Sequence, residues 1–250
     1  MKRKQRIVGI IPARYQSTRF EGKPLAMILG KPMIQHVYKQ SLKCKLLDEV
    51  IVATDDDRIV KCVNGFGGLA MLTKTDHPTG TDRVAEVAKK IKADIIVNIQ
   101  GDEPLIVPEM INSLIKPLLA DPSVYVTNSI THIKNLGDYL DSTVVKVAID
   151  CNKDIMYLTR SPIPYPKTRQ RYTVLKEIGL YSFRRNFLFK YVKMKQTPQE
   201  LIEGIEFLRI LENGYKVRSV MTNANPMSVD TLSDLIEVEK IMLKSSKNRK

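Results

Sequence analysis

The sequence predicts an α/β fold, a Rossmann-like, mostly parallel sheet flanked by helices, with a smaller subdomain built into its second half. Three observations carry this. Residues 6–13 (RIVGIIPA), 49–54 (EVIVAT) and 94–100 (DIIVNIQ) are short apolar, β-branched runs, the pattern of parallel strands buried on both faces. Between them, residues 31–47, 56–66 and 80–92 place apolar residues at helical spacing. The least ordinary polar residues follow the first and third runs, where ligands sit in doubly wound sheets.

The elements follow in order. The rhythm of the first hundred residues is β-α-β-α-β, which implies right-handed crossovers in one sheet. The second half is less regular. Strand-like pieces lie near 124–130, 144–150 and 177–183, followed by a helix over 198–213 and a last strand over 216–221. Val229-Asp230-Thr231 then opens a terminal helix. Prolines at 162, 164 and 166 make 161–167 an extended connection rather than a helix. Neither an internal repeat nor a low-complexity linker interrupts the 250 residues, so a single domain over 1–250 is expected.

Composition narrows the class. Apolar residues make up 43% and charged residues 27%, ordinary for a globular enzyme. The basic start Met1-Lys2-Arg3-Lys4 is followed by an apolar stretch that Pro12 stops, too short for the core of a secretory signal. A cytoplasmic protein without membrane insertion is expected. Cys44, Cys62 and Cys151 are scattered and without CxxC spacing, which argues against a disulfide framework or a zinc site. The net charge of +13 raises nucleic acid as a partner, but eight of the positives lie in residues 2–6 and 244–250. Setting them aside leaves 32 basic against 27 acidic residues. With Trp absent, the stacking aromatics that a nucleic-acid surface needs are scarce. A modestly basic body suits an enzyme of polyanionic small molecules.

Four segments could carry that chemistry. The loop 13–24 holds Arg14, Arg19 and Lys23 with Ser17, Thr18 and Gly22. Arg offers a planar fork to phosphate oxygens and Lys a mobile point charge, so the loop reads either as a triphosphate wrap or as a solvated basic turn. It is neither a Walker loop nor GxGxxG. Gln100-Gly101-Asp102-Glu103-Pro104 puts a carboxylate at a strand end. That carboxylate suits a magnesium ion bridging phosphates and equally a turn acid. Asp230 reads as a second metal ligand or as a helix N-cap. Thr79-Gly80-Thr81-Asp82-Arg83 opens a helix, either as an ordinary capped turn or as a loop approaching a base, a ribose or a phosphate. His36, His77 and His132 have no nearby ligand partners in sequence, and Arg160, Glu177 and Tyr181 carry no signal of their own.

Taken together, the segments resemble the 3-deoxy-manno-octulosonate (KDO) cytidylyltransferases. The matching stretches are IIPARYQSTRFEGKPL (10–25), GKPMIQHV (30–37), VIVATDDDRI (50–59), TDHPTGTDRVAEV (75–87), IIVNIQGDEPLI (95–106) and VVKVAID (144–150). YLTRSPIP (157–164), IGLY (178–181), FLRIL (207–211) and SVDTLSDL (228–235) are weaker echoes. The resemblance implies a fold of the nucleotide-diphospho-sugar transferase type and transfer of CMP from CTP to a sugar acid, for lipopolysaccharide. Arg14, Ser17 and Lys23 would then hold the CTP phosphates. Thr79, Gly80, Thr81, Arg83 and Gln100 would surround the cytosine and ribose, and Asp102 and Asp230 would bind Mg²⁺. Arg14, Lys23, Asp102 and Asp230 form the implied catalytic set, and Arg160, Glu177, Tyr181 and Glu206 the sugar-acid set. A homodimer built through about 130–190, the subdomain that also shapes the sugar pocket, is the implied assembly.

The sequence departs from the family on the sugar side. Glu177 stands where His-x-Gly-x-Tyr has histidine, and Ile205-Glu206-Phe207-Leu208-Arg209 has Phe207 for the glutamine of Leu-Glu-Gln-Leu-Arg. An acid there disfavours a nearby carboxylate and can pair with an amine. The acceptor is therefore KDO, a modified form such as 8-amino-KDO, or another 2-keto sugar acid.

Overall fold

The computed structural model describes residues 4–16, 20–167, 173–224 and 226–247. They fall into two compact units, Met1–Asn112 with Pro226–Lys250 and Ser113–Asn225.

The first unit opens with β1 (Ile7–Ala13), whose apolar side chains are buried on both faces. A short 3₁₀ turn at Lys23–Leu25 and the hairpin β2 (Met27–Ile28) and β3 (Lys31–Pro32) lead to α1 (Met33–Ser41). Then come β4 (Glu49–Thr54), α2 (Asp57–Gly65), β5 (Ala70–Leu72), α3 (Gly80–Lys90) and β6 (Ile95–Ile99), and α4 (Pro108–Ala120) begins in this unit and ends in the second. The four main strands are parallel in the order β6-β1-β4-β5. The chain therefore builds outward from β1 to β5 and returns to the far side of β1 as β6. Strand order reverses between β1 and β6, and such a switch point opens a crevice at the carboxyl ends of the strands. The loops after β1 and β6 are the two that the sequence marks.

The second unit holds β7 (Val126–His132), α5 (Leu136–Leu140), β8 (Lys146–Ile149), β9 (Ile155–Thr159), β10 (Leu175–Arg184) and α6 (Arg185–Tyr191). After them come α7 (Pro198–Glu203), α8 (Leu208–Glu212) and β11 (Arg218–Met221). Here β7 pairs with β11 in parallel and with β10 antiparallel, and β8 links β10 to β9. The mostly parallel, helix-flanked α/β architecture expected from the sequence is present, and apart from the small β2–β3 hairpin the antiparallel pairs lie in the second half. The helix α9 (Leu232–Lys247) belongs to the first unit. Its Val238 packs with Ile28, Met33 and Val229 in a fully buried cluster. Each such side chain contributes roughly 1.5–3 kcal/mol by burial.

Two expected helices change. The run 31–47 yields α1 only over Met33–Ser41, because the turn at Leu29 and Gly30, both at positive φ, pairs Lys31–Pro32 into a hairpin. The run 198–213 divides into α7 and α8, since the chain passes through the left-handed region at Gly204 (φ 63). No helix among the described residues is long and apolar enough to cross a membrane.

Candidate active site

Lys23, Asp102 and Asp230 meet. The Lys23 ammonium donates to the Asp102 carboxylate at 2.6 Å and to that of Asp230 at 3.1 Å. Lys23 follows Gly22 in the 3₁₀ turn after β1, and Asp102 lies in the turn after β6. Asp230 is brought in from the other end of the chain. The Val229 amide donates to the Asp102 carbonyl at 2.9 Å, and the buried Val229 side chain anchors the segment. The next residues leave Asp230 aimed at Lys23. Thr231, not Asp230, caps α9 by accepting from the Asp234 amide at 3.3 Å, while the Asp234 carboxylate accepts from the amides of Asp230 and Thr231.

The turn carrying Asp102 is set by close packing. A Cβ on Gly101 would lie 2.8 Å from the Pro12 carbonyl oxygen, so β1 and the turn after β6 approach as only glycine permits. Glu103, next along, is buried, and its Oε2 has no hydrogen-bond partner among the described residues. Burial, with the neighbouring Asp102 charge, pushes the Glu103 carboxyl up to about 8. The shift favours the neutral form of Glu103 near pH 7.

Arg14 is exposed just past β1, and Ser17 lies outside the described residues. The loop that holds them is closed at its base by the Gly22 amide donating to the Tyr15 carbonyl at 2.9 Å. The Arg58 guanidinium stacks 3.3 Å over the Tyr15 ring while also gripping Asp56. Arg58 and Tyr15 are structural partners of this loop that the sequence does not announce.

The 79–83 segment is committed to folding more than its sequence suggests. Thr79 caps α3, its hydroxyl accepting from the Asp82 amide at 3.2 Å and donating to the Asp82 carboxylate at 2.8 Å. Gly80 faces Pro12, where a Cβ would sit at an ordinary 3.5 Å. Thr81 is buried and accepts from Asn98 at 3.3 Å. Arg83 is buried, donating to Asp55 at 2.8 Å, to the Thr73 hydroxyl and to the Lys74 carbonyl. Gln100 is half-buried at the end of β6. Of these residues, Gly80 lies against the end of β1 and Gln100 follows β6, while Thr79, Thr81 and Arg83 hold the start of α3 in place.

The residues expected at the sugar acid gather within the second unit. The Tyr181 hydroxyl and the Asn128 amide both donate to the Glu177 carboxylate, the latter at 3.3 Å. Burial pushes the Glu177 carboxyl up to about 7; Tyr181 pulls it down, the Glu206 charge pushes it up, and Arg160 and Asn128 pull it down. Arg160 donates to the carbonyls of Glu203 and Ser142 at 2.7 and 2.9 Å. Its own carbonyl accepts from Lys146, a fully buried lysine that also donates to the Asp141 and Val144 carbonyls. Phe207, in the place of a polar residue, is buried and stacks on Tyr181 with ring centroids 4.3 Å apart. Phe183 and Tyr191 extend this aromatic cluster. The Tyr191 hydroxyl donates to the Glu206 carboxylate at 3.2 Å. Beside it, Arg209 and Glu200 form a buried ion pair.

No group of three or more His, Cys, Asp or Glu among the described residues is placed to hold a metal. Asp102 and Asp230 nevertheless converge on one cation, and two carboxylates are what a magnesium ion takes when phosphates and water complete its octahedron. The residues fit that ion.

A model of the cytidylyltransferase family matches residues 8–220. A protein of Geobacter metallireducens called 3-deoxy-manno-octulosonate cytidylyltransferase is 50% identical over 244 residues, 93% of this chain and 96% of the relative. A protein of that name from Geotalea daltonii is 49% identical over the same shares. The solved structure of CMP:2-keto-3-deoxy-manno-octonic acid synthetase complexed with CTP superposes with a TM-score of 0.92 at 40% identity, covering 96% of this chain and 99% of that one. A 4-diphosphocytidyl-2C-methyl-D-erythritol synthase from Anaerococcus prevotii, 17% identical with a TM-score of 0.63 over 96% of this chain and 99% of that one, shares the fold.

Proposed function

Because the chain belongs to the 3-deoxy-manno-octulosonate cytidylyltransferase family, and is on that ground a nucleotidyltransferase, we propose that it transfers CMP from CTP to KDO or a close KDO-like acid. The observation that carries this is the convergence of Lys23, Asp102 and Asp230 beside the crevice between β1 and β6.

The reaction forms a bond from the anomeric oxygen of the sugar to the α-phosphorus of CTP and breaks the bond from that phosphorus to the bridging oxygen. Pyrophosphate leaves with the bond electrons, and the anomeric proton passes to solvent or to a nearby base. Protein nucleophiles are not required. Arg14, Ser17 and Lys23 hold the phosphates, and the cations offset the charge that grows on them. Thr79, Gly80, Thr81, Arg83 and Gln100 line the base and ribose, several of them through the backbone they fix. Mg²⁺ bound by Asp102 and Asp230 would supply further charge neutralisation at the phosphates. Arg160, Glu177, Tyr181 and Glu206 recognise the acceptor.

Both units serve this one reaction. The product feeds lipopolysaccharide synthesis, the enzyme works in the cytoplasm, and it assembles as a homodimer through the region of about 130–190. A second acceptor reading, 8-amino-KDO, is favoured by one observation: Glu177 and Glu206 lie close enough to raise the Glu177 carboxyl, so an added ammonium would find two acids. Pyrophosphate release with CTP and Mg²⁺ tests the proposal, with KDO, 8-amino-KDO and a sialic acid compared. Release with KDO or 8-amino-KDO supports it and identifies the acceptor. Release with the sialic acid alone, or with none, refutes it.

A further inference from the structure

Lys23 lies where a metal ion between Asp102 and Asp230 would lie. One ammonium nitrogen contacts both carboxylates, at 2.6 and 3.1 Å, and the Val229–Asp102 backbone bond at 2.9 Å holds the two acids together. Two carboxylates this close repel unless a cation lies between them. Lysine suits that post because its ammonium is a compact charge on a flexible stem that swings without backbone movement. The stem starts in the 3₁₀ turn that ends the phosphate loop, so the same ammonium can reach phosphate oxygens entering above that turn.

Resting on the CTP reading of this site, we propose that Lys23 is a resident counter-cation which competes with the divalent metal for the Asp102–Asp230 pair. Metal alone must displace the ammonium and leave it unpaired. A triphosphate gives the ammonium a second anion to move to, so nucleotide and metal enter as a coupled pair. The coupling is reciprocal, as any linkage of two binding free energies must be.

The test uses Mn²⁺ as the probe, with free Mn²⁺ followed by its electron paramagnetic resonance signal. Wild-type protein is expected to bind Mn²⁺ weakly alone and more tightly with CTP, by a factor within the range of about 5- to 150-fold usual for coupled sites. Lys23→Met and Lys23→Gln should bind Mn²⁺ without nucleotide more tightly than wild type by a comparable factor, and adding Asp230→Asn should abolish that gain. Folded variants that bind Mn²⁺ no better than wild type overturn the proposal. A measurement without mutation stands beside it: reductive methylation of Lys23, read by mass spectrometry, should accelerate when Mn²⁺ alone saturates the wild-type protein. An unchanged rate at saturation overturns the proposal as well. If CTP leaves Mn²⁺ binding of wild type unaltered, the CTP reading fails, whereas the variants tested without nucleotide still decide the competition.

Discussion

The Val229 amide donates to the Asp102 carbonyl at 2.9 Å, and this single backbone bond sets the Asp230 carboxylate beside that of Asp102. Lys23 and Asp230 are 207 residues apart in sequence, so the acidic pair exists only when the terminal segment is docked. Asp102→Asn and Asp230→Asn should each lower the rate of pyrophosphate release by at least about a hundredfold, the scale on which losing one preorganised charge-stabilising group acts. Steady-state kinetics at saturating CTP checks this, and a loss under about threefold in both variants would remove these acids from the mechanism.

Gly101 is expected to be intolerant of any side chain. The added methyl of Gly101→Ala would meet the Pro12 carbonyl oxygen at 2.8 Å, and backbone cannot give way as a flexible side chain can. Overpacking of this kind costs about 1–3 kcal/mol. Thermal unfolding should show a Tm lower by about 2–4 °C for each of those kcal/mol.

Glu177 gives the protein a pH dependence with a defined sign. Its carboxyl titrates at about 7 rather than at its ordinary 4.5, so the folded state binds a proton that the unfolded chain has already lost. Stability from this group is fully present below about 4.5 and falls as pH rises through 7. The fall is at most about 1.4 kcal/mol per pH unit. Glu177→Gln should flatten the slope in denaturant titrations from pH 5 to 8. The same variant separates the acceptors. With KDO as the substrate, KM of the wild type should rise above pH 7 as Glu177 charges opposite the sugar carboxylate, and the glutamine variant should not show the rise. The groups facing Glu177 are Tyr181, Glu206, Arg160 and Asn128.

Arg209 and Glu200 are both buried and bound to each other. Arg209→Ala would leave the Glu200 carboxylate without its cation, which typically costs about 3–5 kcal/mol. The double variant Arg209→Met with Glu200→Leu should recover much of that loss in urea unfolding, because no buried charge then remains unpaired.

Several of these features are legible in the sequence. The strands β1, β4 and β6 are buried on both faces and so appear as unbroken apolar runs. Asp102 and Arg14 stand out because they follow two such runs, at the reversal of strand order. The rest depends on contacts between distant positions. α4 escapes attention because Pro108 and Pro117 punctuate it, although Pro108 merely opens the helix. Asp230 resembles a helix cap until Thr231 is seen in that role. Lys146, Asn128 and the Arg209–Glu200 pair carry no local signal, since a buried polar residue in a sequence looks like an exposed one. Phe207 looks like a lost polar contact, and the stack on Tyr181 shows what replaced it.

Lys146 has a practical consequence for labelling. All three of its N–H bonds are spent on main-chain carbonyls, those of Asp141, Val144 and Arg160, and the side chain is sealed from solvent. An acylating reagent that modifies surface lysines within minutes should leave this amine untouched in the intact protein. Its modification would then mark the moment at which the 141–160 region opens, an internal clock for local unfolding that needs no engineered probe.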